Sequence, residues 1–130
     1  MSIGMLIVTH NNIGADLLAT ARDIIGKPPL DVAVIDIKPN SNYERKAEEV
    51  ERSIIRLDNG EGVLVLTDLF GATPSNIALK AALKHNAKVV AGINLPMLIR
   101  VFNYPNLPLD KLIAKAVDAG HDSVFECNRR

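Results

Sequence analysis

The chain is 130 residues long, 48% hydrophobic and formally uncharged, with 15 basic against 15 acidic residues, no Trp and 4% aromatics. That length suits a single domain spanning residues 1–130, able to bury about two-thirds of its unfolded surface, with no linker or low-complexity tract to divide it. Balanced charge and few stacking rings argue against nucleic acid as a partner, and the first apolar run is too short, with neither basic flank nor cleavage pattern, for membrane insertion or export, which points to the cytoplasm.

Residues 3–9 are an apolar run of the kind buried on both faces of a parallel sheet, and His10 follows directly. Within the next segment, Ile13 to Ile25, the residues Leu17, Leu18, Ala21, Ile24 and Ile25 share one helical stripe, which Gly26 and Pro28-Pro29 stop. Residues 31–37 form a second strand ended by Pro39 and Asn40. Ser41, with Glu44 after it, has the form of a capping box. Tyr43, Ala47, Val50, Ile54 and Leu57 then recur at helical steps among Glu and Arg, which predicts an amphipathic helix with a solvated outer face.

Asp58-Asn59-Gly60 turns the chain into a third strand, residues 62–67, and Asp68 stands at its end. Leu69 to Ala72 make a tight turn through Gly71. Thr73-Pro74 opens a helix, with Thr73 as N-cap and Pro74 at the first helical position, where its missing N–H costs nothing. Ile77, Ala78, Ala81 and Ala82 form that helix's inner side, and it ends near His85 and Asn86. Residues 87–93 are a fourth strand. Asn94-Leu95-Pro96-Met97 begins a short helix reaching Phe102 or Asn103, with Met97 a candidate for an apolar docking surface. Leu109, Leu112, Ile113, Ala116 and Val117 mark a last helix stopped by Gly120, and residues 123–127 read as a fifth strand. The lone Cys127 fits a reducing compartment and a packing role.

Parallel strand–helix units with right-handed crossovers predict an α/β, doubly wound, mainly parallel sheet of order 2-1-3-4, with helices on both faces. The C-terminal fifth strand is expected to run antiparallel, its direction and its subunit open. In such sheets ligands bind beyond the carboxyl ends of the strands where strand order reverses. There the first and third strands are neighbours, about 4.8 Å apart, so His10 and Asp68 are expected to touch.

The sequence has no G-x-G-x-x-G, no G-x-x-x-x-G-K-[ST] and no G-x-S-x-G, and its 3 histidines are far apart with no acidic or cysteine cluster at ligand spacing. No cofactor and no metal are expected. What remains is a histidine, an acid and a helix N-terminus on one rim. A carboxylate bonded to one ring nitrogen fixes the tautomer and leaves the other nitrogen as a nucleophile. The turn Gly71, Ala72, Thr73 is expected to cradle phosphate oxygens with its amides. Together these describe a phosphoryl acceptor, a role that asks for positioning and electrostatics and not for a metal. His85, at a helix end, and His121, in a turn, are read as structural.

The chain resembles a mannose-family enzyme IIA domain of the bacterial phosphoenolpyruvate-dependent sugar phosphotransferase system. The resemblance covers essentially the whole length and rests on Val8-Thr9-His10, on Asp68-x-x-Gly71-Ala72-Thr73-Pro74, and on Gly92-Ile93-Asn94-Leu95-Pro96-Met97. It implies that His10 is phosphorylated by phospho-HPr and passes the group to a IIB component. It also implies that Asp68 orients the histidine, that Thr73 lies in the phosphate-binding turn, and that a homodimer exchanges its last strand, here residues 123–127. Two departures stand out. Family members commonly have a small residue after the histidine, where this chain has Asn11-Asn12, and no Ala/Pro-rich linker to a IIB domain precedes Arg130, so the IIB partner is expected on a separate chain. Two alternatives share the chemistry: a regulatory protein that senses phosphorylation state, and the phosphotransferase subunit serving dihydroxyacetone kinase.

Overall fold

The computed structural model describes residues 2–129. In chain order the elements are β1 (Gly4–His10), α1 (Ile13–Ile25), β2 (Val32–Ile37), α2 (Tyr43–Leu57), β3 (Val63–Thr67), α3 (Thr73–Ala82), β4 (Ala87–Ala91), α4 (Leu95–Phe102), α5 (Leu109–Asp122) and a closing 3-10 turn (Cys127–Arg129). The strands form one 4-stranded sheet in the order β2-β1-β3-β4, every pair parallel.

Alternation along the strands divides the core into two layers. Met5, Ile7, Leu64 and Leu66 face α1, α4 and α5, where Leu18, Leu98, Phe102 and Leu112 pack on them. Leu6, Val8, Val63 and Val65 face α2 and α3, against Val50, Ile54, Ile77 and Ala78. The same alternation assigns His10, two residues past Val8, to the α2/α3 side. β1 and β3, central and wholly buried until the final histidine, read as continuous apolar runs, whereas the edge strands β2 and β4 are only partly covered.

Helix α1 reaches β1 closely because residue 14 is glycine. The Gly14 amide donates to Thr9 Oγ1 at 2.8 Å, and a Cβ at Gly14 would stand 2.6 Å from Ile7 Cγ2. Gly14→Ala is therefore expected to lower stability by about 1–3 kcal/mol through overpacking, read as a drop in denaturant midpoint. A wild-type midpoint would mean that this helix has room to shift.

Several local expectations are corrected. Asn42, not Ser41, caps α2: its side chain accepts from the Arg45 amide, while Ser41 Oγ accepts from the Lys38 amide at 2.8 Å within the preceding turn. Gly120 does not stop α5. It lies inside the helix, where a Cβ would come 2.8 Å from Met97 Cε, and its carbonyl accepts from Asn94 Nδ2 at 3.1 Å. Met97 is buried in the core and not a docking surface. Ile24 and Ile25 are exposed past the buried part of the α1 stripe, and Cys127 is exposed, not packed.

A fifth strand is not seen among the described residues of this single chain. Residues 123–127 form no strand, because the backbone stays tied to the helix before it: the Ser123 amide donates to Ala119 O at 3.2 Å and the Val124 amide to His121 O at 3.4 Å. A strand needs an edge to pair with, and the tail does not reach one within its own chain.

Candidate functional site

His10 ends β1 and Asp68 directly follows β3, and the pairing of Val8 with Thr67 brings the two strand ends level. Asp68 Oδ2 accepts from the His10 backbone N–H at 3.0 Å and from ring Nδ1 at 2.8 Å. Its Oδ1 accepts from the Leu69 amide at 3.0 Å. Burial alone would raise the Asp68 carboxyl, but hydrogen bonds from the His10 ring and amide, with the ring's charge, outweigh it and hold the group below its ordinary value. An ionised carboxylate only accepts, so in the neutral ring Nδ1 carries the hydrogen and Nε2 keeps its lone pair. The Asp68 side chain is 13% exposed and that of His10 is 40% exposed, so the acid is sheltered while the imidazole can be reached.

The turn after Asp68 is closed by a residue that the sequence reading passed over. Gly71, at φ 88°, lets the chain reverse, and its amide donates to Ser75 Oγ at 2.9 Å, whose hydroxyl donates to Ala72 O at 3.2 Å. The Ala72 amide is directed to Leu69 O at 3.3 Å. Ala72, not Thr73, is the N-cap of α3, and Thr73 is already its first helical residue. A polar side chain three residues past the N-cap can reach back, as the glutamate of a capping box does, and Ser75 fits that pattern. Because Ser75 closes the turn, Thr73 makes no cap bond and its side chain is exposed. Of the turn residues Gly71, Ala72 and Thr73, only Thr73 lines the cleft beside His10.

That cleft has a volume of about 300 Å³ and lies between the ends of β1 and β2 and the starts of α2 and α3. Asn11, at its edge, has φ 47°, and its amide donates to Ile37 O at 2.9 Å. Asn tolerates this left-handed conformation and Gly adopts it freely, whereas a β-branched residue pays a steric penalty. Asn11→Gly should therefore fold as well as wild type, and Asn11→Val should lose about 1–2 kcal/mol; equal midpoints for the two variants would remove the conformational reason for Asn here.

The other histidines lie elsewhere. His85 Nε2 is 3.1 Å from Glu51 Oε2, tying the turn after α3 to α2, and Lys84 Nζ is 3.8 Å from the same oxygen. The His85 hydrogen bond, then the Lys84 charge, holds the Glu51 carboxyl below its usual range. His121 is exposed and paired only with its neighbour Asp122 at 3.4 Å.

An open parallel sheet wound on both sides, with a carboxylate-bonded histidine where strand order reverses, defines a doubly wound α/β domain that presents a ring nitrogen to an open cleft. The family model EIIA-man, described as "PTS system fructose IIA component", matches residues 4–117. The chain belongs to this family, the mannose-type IIA components of the sugar-transporting phosphotransferase system, which are phosphotransferases.

Among relatives, the mannose-specific EIIAB component of Escherichia coli K12 is 34% identical over 127 residues, covering 95% of this chain and 39% of that protein. The chain thus spans about two fifths of the length of that relative. The sorbose-specific EIIA component of Lacticaseibacillus casei is 30% identical over 112 residues, covering 85% of this chain and 80% of that protein. The solved mannose/sorbose-specific IIA subunit from Enterococcus faecalis superposes with a TM-score of 0.88 at 27% identity, over 97% of this chain and 95% of that one. No helix among the described residues is long and apolar enough to cross a membrane.

Proposed function

We propose that this chain is a histidine phosphocarrier in sugar uptake, accepting a phosphoryl group from phospho-HPr on His10 Nε2 and passing it to a IIB component. The observation that carries this reading is the 2.8 Å bond between Asp68 Oδ2 and His10 Nδ1. Nε2 attacks phosphorus with its lone pair, and the bond from phosphorus to the donor nitrogen breaks, its electron pair staying on that nitrogen. A donor ring that starts protonated on its other nitrogen leaves as neutral imidazole. His10 becomes the phosphorylated imidazolium, with its Nδ1 hydrogen held by Asp68. No proton has to cross, and Asp68 is already in place to balance the charge that arrives.

In this reading Thr73 contacts the phosphoryl oxygens, while Gly71 and Ala72 shape the turn that presents it. Leu69 and Phe70, 61% and 77% exposed beside the acid, are an apolar landing for the partner proteins. Exchange of residues 123–127 with a second copy, as the family resemblance implies, suits the outer edge of β4 and a Val124 that is 80% exposed.

A second reading keeps the chemistry and changes the readout. The transcriptional regulatory protein LevR of Bacillus subtilis is 25% identical over 115 residues, which are 12% of its length, so a related segment occurs within a regulator. The test is incubation with phosphoenolpyruvate, enzyme I and HPr. Stoichiometric label discharged to a IIB protein is the expected result. Label that no IIB accepts would favour regulation, and absence of label would overturn both readings.

A further inference from the structure

The cleft beside His10 has a cationic wall that the transfer scheme above does not use. Lys38, at the end of β2, and Lys46, in the first turn of α2, both line it together with Asn11 and Thr73. The backbone under Lys38 is held in place: its amide donates to Ser41 Oγ at 2.8 Å, and its carbonyl accepts from the Ser41 amide at 3.0 Å. Lys46 is 26% exposed at its side chain, and its Nζ pairs with Glu49 Oε2 at 3.5 Å. A cation in the first turn of a helix opposes the helix dipole, a cost that the Lys46–Glu49 pair offsets.

The cationic side chains lining this space beside His10 are Lys38 and Lys46. No acid is among the described residues lining the cleft; Glu49 is engaged with Lys46 and Asp68 with His10. A cleft of about 300 Å³ is at the small end of the range that encloses ligands, about 300–1,000 Å³. It exceeds what one phosphoryl group fills and leaves room for a second ring.

We propose that Lys38 and Lys46 form a cationic clamp for the phosphoryl oxygens, holding the group on His10 and drawing the phosphorylated donor side chain into line with Nε2. The assignment rests on the phosphocarrier reading for its role in transfer, but the clamp itself is a tetrahedral-oxyanion site that exists without the relay. Each lysine supplies charge-assisted hydrogen bonds to oxygens whose charge is present before, during and after transfer. The clamp therefore acts on capture of the donor and on the lifetime of the phosphorylated histidine.

The test compares wild type with Lys38→Met, Lys46→Met, the double Met variant and Lys46→Arg, in two measurements. The first is titration with inorganic phosphate, watched through the His10 ring resonances. The second is transfer from phospho-HPr, with the half-life of the label. We expect the double variant to lose the phosphate response and to accept the group at least about tenfold more slowly. Lys46→Arg should stay near wild type, and transfer should slow less with added salt in the double variant than in wild type. A double variant that matches wild type in both measurements would overturn the clamp. A wild-type chain that binds phosphate through these lysines yet takes no label would overturn the phosphocarrier reading and leave the clamp in place.

Discussion

His10→Ala is expected to take no label from phosphoenolpyruvate, enzyme I and HPr, while His85→Ala is labelled as wild type is. Wild-type label should be acid-labile and base-stable, as a phosphorus–nitrogen bond is. The contrast is sharp because the two imidazoles have opposite surroundings. His10 lines an open cleft with one nitrogen held by Asp68, leaving Nε2 for phosphorus. His85 has its Nε2 against Glu51 Oε2, away from that cleft, and it fastens α2 to the turn after α3. Removing it should therefore change stability and leave phosphorylation alone. Label retained by His10→Ala would refute the assignment of the nucleophile.

Asp68→Asn should slow transfer by about 10²–10⁴-fold, on the scale of losing the carboxylate that sets a catalytic histidine's tautomer. The substituted amide can turn its NH₂ toward Nδ1, which places the ring hydrogen on Nε2 and removes the lone pair that must attack phosphorus. It also removes the negative charge that balances the phosphorylated ring. The fold should suffer less, since an amide oxygen can still accept from the His10 or Leu69 backbone N–H. Wild-type transfer by this variant would deny Asp68 an orienting role.

The pH dependence follows in sign from the same carboxylate. Its folded value lies below its ordinary one, so the unfolded chain binds the proton more readily. The stabilisation is therefore fully present above the ordinary aspartate value of about 3.9 and is lost as pH falls through the lower folded value. The stability gap between wild type and Asp68→Asn should be open at neutral pH and close on acidification, as measured by denaturant midpoints. A gap that widened in acid would contradict the geometry.

Much of this molecule was legible in its residues. The apolar runs that became β1 and β3, the small inner face of α3 from Ile77 to Ala82, and the strand order that brings His10 to Asp68 all follow from one-sided or two-sided burial, which leaves a period in the sequence. Even the contact between residues 58 positions apart was accessible, because parallel crossovers leave few arrangements of the strands.

Other features were settled only in three dimensions. Ser41 and Thr73 are the expected caps of α2 and α3, yet Asn42 and Ser75 make the bonds there, because the choice turns on which oxygen falls within reach of which amide. Gly120 reads as a stop until Met97 and Asn94 are packed over it, and residues 123–127 read as a strand, whereas within this chain the Ser123 and Val124 amides turn back to α5. The placement of Lys38 and Lys46 on one cleft leaves no local signature, since they come together only because β2 ends and α2 begins at the His10 rim. The sequence by itself determined the four parallel strands, the helices between them and the pairing of His10 with Asp68, because burial repeats along a chain. Hydrogen-bond partners and the charge around the site were decided by the tertiary structure, because they depend on distances of a few ångströms between segments that carry no mark of one another.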